Sequence, residues 1–182
     1  MIPGKRVRLR AVERADLPKY QAWLNDPEVT EGLALYLPLS TADEEKWFDD
    51  MLQRAAEERP LAIEIRAGDT WQLVGNAGLF NLHWTNRSAE FGIFIGDKSN
   101  WNKGYGTEAL HLILRHAFNT LNLNRVYLQV YSSNPRARRS YEKAGFVHEG
   151  TLRQALFRGG QYIDVHVMSV LRSEWCASQE GQ

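Results

Sequence analysis

The sequence predicts a mixed α/β domain, and three observations predict it. Val7, Leu9 and Ala11 alternate with Arg8 and Arg10, the period of a half-buried strand. After Pro60, short apolar runs are separated by the turn-like stretches RAGDT and NLHWTNR, as in a strand meander. Ala109, Leu110, Ile113, Leu114, Ala117, Phe118 and Leu121 then form one apolar stripe at helical spacing, with Glu108, His111, Arg115 and Asn119 facing away.

Taken in order, the first strand is followed by Asp16, placed to cap a helix running to about Asn25. Leu17, Tyr20 and Leu24 share one face of that helix, and Pro27 stops it. Thr41 followed by Glu44 is a helix-start signature for STADEEKWFDDMLQRAAEE, in which Trp47, Met51 and Ala55 recur at helical spacing. LAIEI, QLVGNAGLF and SAEFGIFIG are the meander strands. The striped helix follows a turn containing Gly104 and Gly106. RVYLQVYS reads as the next strand, NPRARRSYEKAGF as a short helix ended by Gly145, and YIDVHVMSVL as a closing strand. In that order the strand–helix–strand unit around residue 105 should be parallel and right-handed.

The chain reads as one domain over residues 1–176 with a polar tail at 177–182. Its 22 acidic and 22 basic residues balance, so global charge points to neither nucleic acid nor membrane as a partner. Cys176 is the only cysteine, which excludes an internal disulfide framework and fits a reducing compartment. No stretch approaches the roughly 18 apolar residues of a membrane span, and the start lacks a secretory core, so a cytoplasmic location is expected. The histidines, at 83, 111, 116, 148 and 166, show no metal-ligand spacing, and no G-x-S-x-G is present. No metal is therefore expected. The six tryptophans suit either a dimer face or a well-packed core, so a homodimer stays open.

The glycine turn in KGYGTEAL suggests phosphate, because glycines allow close approach and a helix start offers unpaired N–H groups. A P-loop would need Lys after its last glycine, whereas Lys103 precedes Gly104. Gly104, Gly106 and Ala109 do fit a dinucleotide fingerprint, but that motif wants an acid about 20 residues on. From Ala109 through Tyr141 there is no Asp or Glu, while Arg115, Arg125, Arg136, Arg138 and Arg139 fall in or beside that stretch. An anionic ligand would be favoured there.

KGYGTEAL, followed by a strand, then Asn134, then Tyr141 inside SYEKAGF, resembles the acetyl-CoA signature of the GNAT acetyltransferase superfamily. VRLRAVERADL, NDPEV, AEFGIFI and GFVHEGTLR resemble the branch with the ribosomal-protein N-terminal and spermidine acetyltransferases. The resemblance implies a mostly antiparallel twisted sheet with helices on both faces and a central, splayed parallel strand pair. It implies an acetyl-CoA-dependent N-acetyltransferase that passes the acetyl group directly to a primary amine. Trp101, Asn102, Lys103, Gly104, Tyr105, Gly106 and Thr107 would hold the diphosphate, with Arg136 and Arg139 as further cations and Phe94 and Ile95 offering backbone groups to the pantetheine arm. Trp101 departs from the family, whose loop usually carries Gln or Arg at that place.

Acyl transfer to an amine needs a neutral nucleophile, donors for the oxyanion and a proton for the leaving thiolate. The resemblance places the Tyr141 hydroxyl by the thioester sulfur as the acid, and Asn134 on the cofactor arm or an active-site water, though Asn134 also suits an ordinary cap. Glu90, pointing opposite to Phe91 and Ile93, is either the base or a solvated edge acid. Trp23, Tyr36 and Trp47 could line an acceptor site, and Asp43, Glu44, Glu45, Asp49 and Asp50 could draw a cationic amine or simply form a wet helix face. A protein α-amine, a polyamine, an amino sugar and an amino acid stay open as acceptors. A coenzyme-binding sensor without transferase activity is the alternative of a different class, and a nicotinamide-binding oxidoreductase a third.

Overall fold

The structure, a computed structural model, describes residues 1–180 and, for side chains, residues 1–177. It divides into two compact units, Met1–Phe80 with Gly92–Ile113, and Asn81–Phe91 with the chain from Leu114 onward.

The first unit holds β1 (Ile2–Pro3), β2 (Val7–Ala11), α1 (Leu17–Leu24), α2 (Pro27–Thr30), α3 (Thr41–Gln53), β3 (Leu61–Ala67) and most of β4 (Thr70–His83). It also takes the second half of β5 (Ser88–Ile95) and the first half of α4 (Tyr105–Asn119). Strands β1 to β4 pair antiparallel in sequence order. Leu17 and Tyr20 of α1, Phe48 and Met51 of α3, and Ala62 and Leu73 of the sheet form one buried cluster with Val12. Burial of these side chains, each contributing about 1.5–3 kcal/mol where large, is what holds α1 and α3 on the strands.

The second unit holds the first half of β5, the end of α4, then β6 (Arg125–Tyr131), α5 (Pro135–Lys143), β7 (Val147–Arg158), β8 (Gln161–Leu171) and α6 (Arg172–Glu180). β5 and β6 are parallel, and β6, β8 and β7 follow antiparallel. The full hydrogen-bonded strand order is β1-β2-β3-β4-β5-β6-β8-β7, so the expected mixed, mostly antiparallel sheet with one parallel pair is present. The parallel ladder consists of Ser88↔Arg125, Ala89↔Val126 and Glu90↔Tyr127, although both strands run on past those rungs. The β7–β8 hairpin turns on Gly159 and Gly160, at φ +58° and +78°, the left-handed pair that a two-residue hairpin loop requires.

The α4 stripe is buried as expected from Ala109 to Phe118, while Leu121 lies past the helix end. Four local expectations give way. Asp16 accepts no hydrogen bond as cap of α1, because its carboxylate is taken by Arg10 and by the Glu13 N–H. Helix α3 is capped by Ser40, whose side chain exchanges bonds with Asp43, and not by Thr41 with Glu44. It also ends at Gln53, since Arg54 is extended, leaving Ala55 outside. Strand β7 is additional; its residues are mostly exposed, so they carry no alternation to read. Of the expected polar tail, residues 177–180 continue α6, and Gly181 and Gln182 lie outside the described residues. No helix among the described residues is long and apolar enough to cross a membrane.

Candidate active site

At the glycine turn β5 ends with the N–H groups of Gly96 and Asp97 both donating to the Val74 carbonyl. Asp97 then organises the loop: one carboxylate oxygen accepts from the Ser99 N–H and hydroxyl at 3.0 and 2.6 Å, the other from Gln72 and Asn100 at 2.9 and 3.0 Å. Lys98 reaches back to Asp26 and Glu28. Asn102 and Gly104 take left-handed conformations, at φ +61° and +83°. The first intrahelical bond of α4 runs from Glu108 N to Gly104 O, so the N–H groups of Tyr105, Gly106 and Thr107 precede it, the arrangement that suits an anion. A Cβ on Gly106 would meet only Ile95 and Ile93, at 3.8 and 4.0 Å, which is ordinary contact. The protein itself therefore does not demand glycine there, although a helical glycine costs about 0.5–1 kcal/mol relative to alanine.

Trp101, which departs from the expected loop pattern, donates its indole N–H to the Ile95 carbonyl at 2.7 Å. That carbonyl is thus engaged within the protein. The Phe94 ring packs edge-on to Tyr20 at 5.8 Å, in the α1–α3 cluster. Lys103 is exposed and Tyr105 half-buried.

A cavity of about 200 Å³ in the same unit is lined by Tyr20, Leu24, Leu35, Leu39, Asp43, Glu44, Trp47 and Asn76. Asn25 fixes the segment leading to α3 by bonding both main-chain groups of Leu39 at 2.8 Å. The aromatic and acidic residues expected around an acceptor separate here by their roles. Trp47 and Asp43 line the cavity, Asp43 while engaged in the Ser40 cap, whereas Glu45 and Asp49 pair with Arg14, and Tyr36 is 64% exposed and off the cavity wall. Glu44 is 4% exposed, and burial first, then the charge of Asp43, push its carboxyl above the ordinary range. Five polar side chains are buried among the described residues, and Asp16, Glu64, Asn100 and Ser169 are all hydrogen-bonded. The Glu44 carboxylate makes no such bond, and since no buried side-chain oxygen among the described residues lacks a partner, its oxygens keep some access to solvent.

In the second unit, Glu90 ends the parallel ladder opposite Tyr127 and accepts from Asn81 Nδ2 at 2.9 Å. Tyr141, on α5, stands edge-on to Phe91 at 6.4 Å and tilted on Phe146 at 6.0 Å. Desolvation pushes its hydroxyl up to about 12, so the phenol stays protonated at neutral pH, and it makes no hydrogen bond among the described residues. Asn134 caps α5 by accepting the Ala137 N–H at 3.1 Å, which leaves its amide N–H groups to donate. Arg136 and Arg139 are exposed on the same helix, while Arg138 pairs with Glu142. No group of three or more His, Cys, Asp and Glu side chains among the described residues is placed to hold a metal.

Sequence reasoning misses Asp97, although Asp two residues before Ser is an Asx-turn pattern. It also misses Arg6, which donates to the Lys103 carbonyl, and Glu108, which holds Arg6; neither carries a local signal.

The chain resembles proteins of known kind. It is 32% identical over 178 residues to spermidine N(1)-acetyltransferase of Vibrio cholerae, covering 97% of this chain and 99% of that one. A putative ribosomal N-acetyltransferase of Bacillus subtilis, YdaF, is 37% identical over 103 residues, 57% of this chain and 56% of that one. Among solved structures, spermidine N-acetyltransferase from Vibrio cholerae in complex with CoA and spermine superposes with a TM-score of 0.86 at 30% identity, over 95% of this chain and 99% of that one. The model of the acetyltransferase (GNAT) domain matches residues 6–147. With that model matched over most of its length, the chain belongs to the GNAT family and is an acetyl-CoA-dependent N-acetyltransferase.

Proposed function

We propose that the acceptor is a cationic polyamine and that Glu44 receives one of its ammonium groups. The observation that carries this reading is Glu44, a residue 4% exposed whose carboxylate makes no hydrogen bond to the protein, on the wall of a cavity that also presents Tyr20 and Trp47. A buried charge of that kind is costly unless something pairs with it, and aromatic faces favour a cation. The similarity to spermidine N(1)-acetyltransferase of Vibrio cholerae, and to a solved structure of spermidine N-acetyltransferase from that organism bound to CoA and spermine, supports it.

The acetyl donor is acetyl-CoA. In this proposal its diphosphate sits on the N–H groups of Gly104 to Thr107, with Trp101, Asn102 and Lys103 shaping the turn and Arg136 and Arg139 adding positive charge. Phe94 and Ile95 lie along the pantetheine arm. Tyr141 gives its proton to the departing thiolate, Glu90 takes the amine proton through water, and Asn134 donates to the arm or that water. The spare room at Gly106 supports a ligand that comes close to the backbone. Transfer forms the amide C–N bond and breaks the C–S bond; the ammonium loses two protons, one matching the proton given to sulfur and one released to solvent. The working domain spans residues 1–176 and acts in the cytoplasm, alone or as a homodimer.

The experiment is thiol release from acetyl-CoA across spermidine, spermine, amino sugars, amino acids and a peptide bearing a free α-amine. Turnover confined to the polyamines supports the reading; preference for the peptide assigns a protein N-terminus instead. Tyr141→Phe should lower kcat about 100-fold with little change in acetyl-CoA affinity, and wild-type turnover by that variant would remove Tyr141 from the mechanism.

A further inference from the structure

Arg6, just ahead of β2, reaches the glycine turn, and a role for it there rests on acetyl-CoA being the ligand of that turn. The main-chain N–H groups of Arg6 and Val7 donate to Glu108 Oε1 at 2.7 and 3.1 Å, and Arg6 Nε donates to Oε2 at 3.0 Å. Nη1 of the same guanidinium donates to the Lys103 carbonyl at 3.1 Å, and its carbon stands 5.1 Å from the centre of the Tyr105 ring. A Cβ on Gly104 would lie 3.3 Å from Nη2. One side chain therefore touches the turn at Lys103 and at Tyr105 and leaves no free space beside Gly104, and the first turn of α4 holds it in place.

A trans peptide points its C=O and N–H in opposite directions. Holding the Lys103 carbonyl toward Arg6 thus turns the Gly104 N–H away from the guanidinium, to the other side of the loop. Without that bond the Lys103–Gly104 peptide can rotate, since Gly104 occupies a conformation from which glycine alone moves freely in several directions. We propose that Arg6 is a positioning residue for the cofactor diphosphate, acting through the Lys103 carbonyl to aim the Gly104 N–H at the anion.

The surrounding charge fits a geometric role better than an attractive one. Burial works to raise the Glu108 pKa, but the N–H groups of Arg6 and Val7 and the guanidinium outweigh it and hold the carboxyl below its ordinary value. The Arg6 charge is therefore matched by an ionised neighbour. The opposite side of the loop is pinned by the Trp101 indole on Ile95, so Arg6 acts on a turn whose other anchor is already fixed.

The test is Arg6→Met assayed with acetyl-CoA and with S-acetylpantetheine, which carries the same thioester but no diphosphate. KM for acetyl-CoA is expected to rise about tenfold, the effect of one charge-assisted hydrogen bond. kcat and the acceptor KM should change less than about twofold on the same grounds, and kcat/KM for S-acetylpantetheine should match the wild type. Glu108→Gln, which keeps an oxygen for the two main-chain donors but loses its grip on the guanidinium, raises KM in the same direction by less. The double variant is no worse than Arg6→Met. An unchanged acetyl-CoA KM, or equal loss on both thioesters, overturns the role of Arg6. A wild type inert toward acetyl-CoA overturns the cofactor reading beneath it.

Discussion

Glu64 and Glu44 are two acidic residues of one unit, 7% and 4% exposed, in surroundings of opposite kind. Glu64 stands opposite Arg8 in the β2–β3 register and accepts from Arg8 Nε at 2.6 Å and Arg10 Nε at 2.8 Å. Arg10 also grips Asp16 with both terminal nitrogens, at 2.7 and 2.8 Å. Burial works to raise the Glu64 pKa, but the two arginines outweigh it and hold the carboxyl below its ordinary value. Glu44 has only burial and the like charge of Asp43, and is held above it. A buried charge clasped on both oxygens ties strands and a turn together. One left facing a cavity costs folding free energy unless a ligand brings the counter-charge.

The comparison breaks most visibly at Glu64. Glu64→Gln leaves Arg8 without its counter-ion and Arg10 with Asp16 alone, though both guanidiniums keep about a quarter of their surface in water. The expected loss is about 3 kcal/mol, the low end for breaking a buried pair, read as a lower urea midpoint at unchanged slope. The acceptor KM should stay at its wild-type value. A loss below about 1 kcal/mol would rank the cluster with exposed ion pairs and erase the contrast.

At Glu44 the same change should do the reverse. Glu44→Gln is expected to raise the KM for spermidine about tenfold, the size of one hydrogen bond to a charged group, and to leave the acetyl-CoA KM untouched. Folding should become more favourable at neutral pH, because the buried charge is gone. A variant that loses stability, with spermidine KM unchanged, would place Glu44 in the scaffold beside Glu64.

That contrast is only partly legible in the sequence. Strand β2 and the α4 stripe show because one face is buried and the other wet, so polarity repeats with the backbone. Strand β7 offers no such repeat: Leu156 is its buried apolar residue, and the main-chain ladder to β8 holds the rest. The glycine turn reads locally because left-handed backbone limits residue choice. Its clamp does not, since Arg6 and Glu108 lie about a hundred residues apart and meet only through the fold. The acids at 43 to 49 look alike as composition, yet helical phase separates them. Glu45 and Asp49 are four apart and face Arg14, whereas Glu44 precedes Trp47, Phe48 and Met51 at three, four and seven, on the apolar side. That spacing is the available signal for a buried carboxylate.

The smallest effect sharpens the comparison furthest, because its sign alone decides. The folded-state pKa of Glu64 is depressed, so its contribution is fully present above the unfolded value, near 4.5, and is lost as pH falls through the lower folded value. The folded-state pKa of Glu44 is raised, so its cost is fully present above that raised value and vanishes as pH falls to 4.5 and below, where both states are protonated. Unfolding free energies of the wild type and of Glu44→Gln, measured by urea titration from pH 4 to pH 8, should therefore converge at the acid end and separate toward neutrality, with the variant the more stable. Adding spermidine should close the gap at neutral pH by binding the wild type preferentially. For Glu64→Gln the gap is already fully open above pH 4.5 and closes only as pH falls below it, with the wild type the more stable, and spermidine leaves it unchanged. If both variants moved the same way with pH, the two carboxylates would share one role, and Glu44 would have no claim on the acceptor.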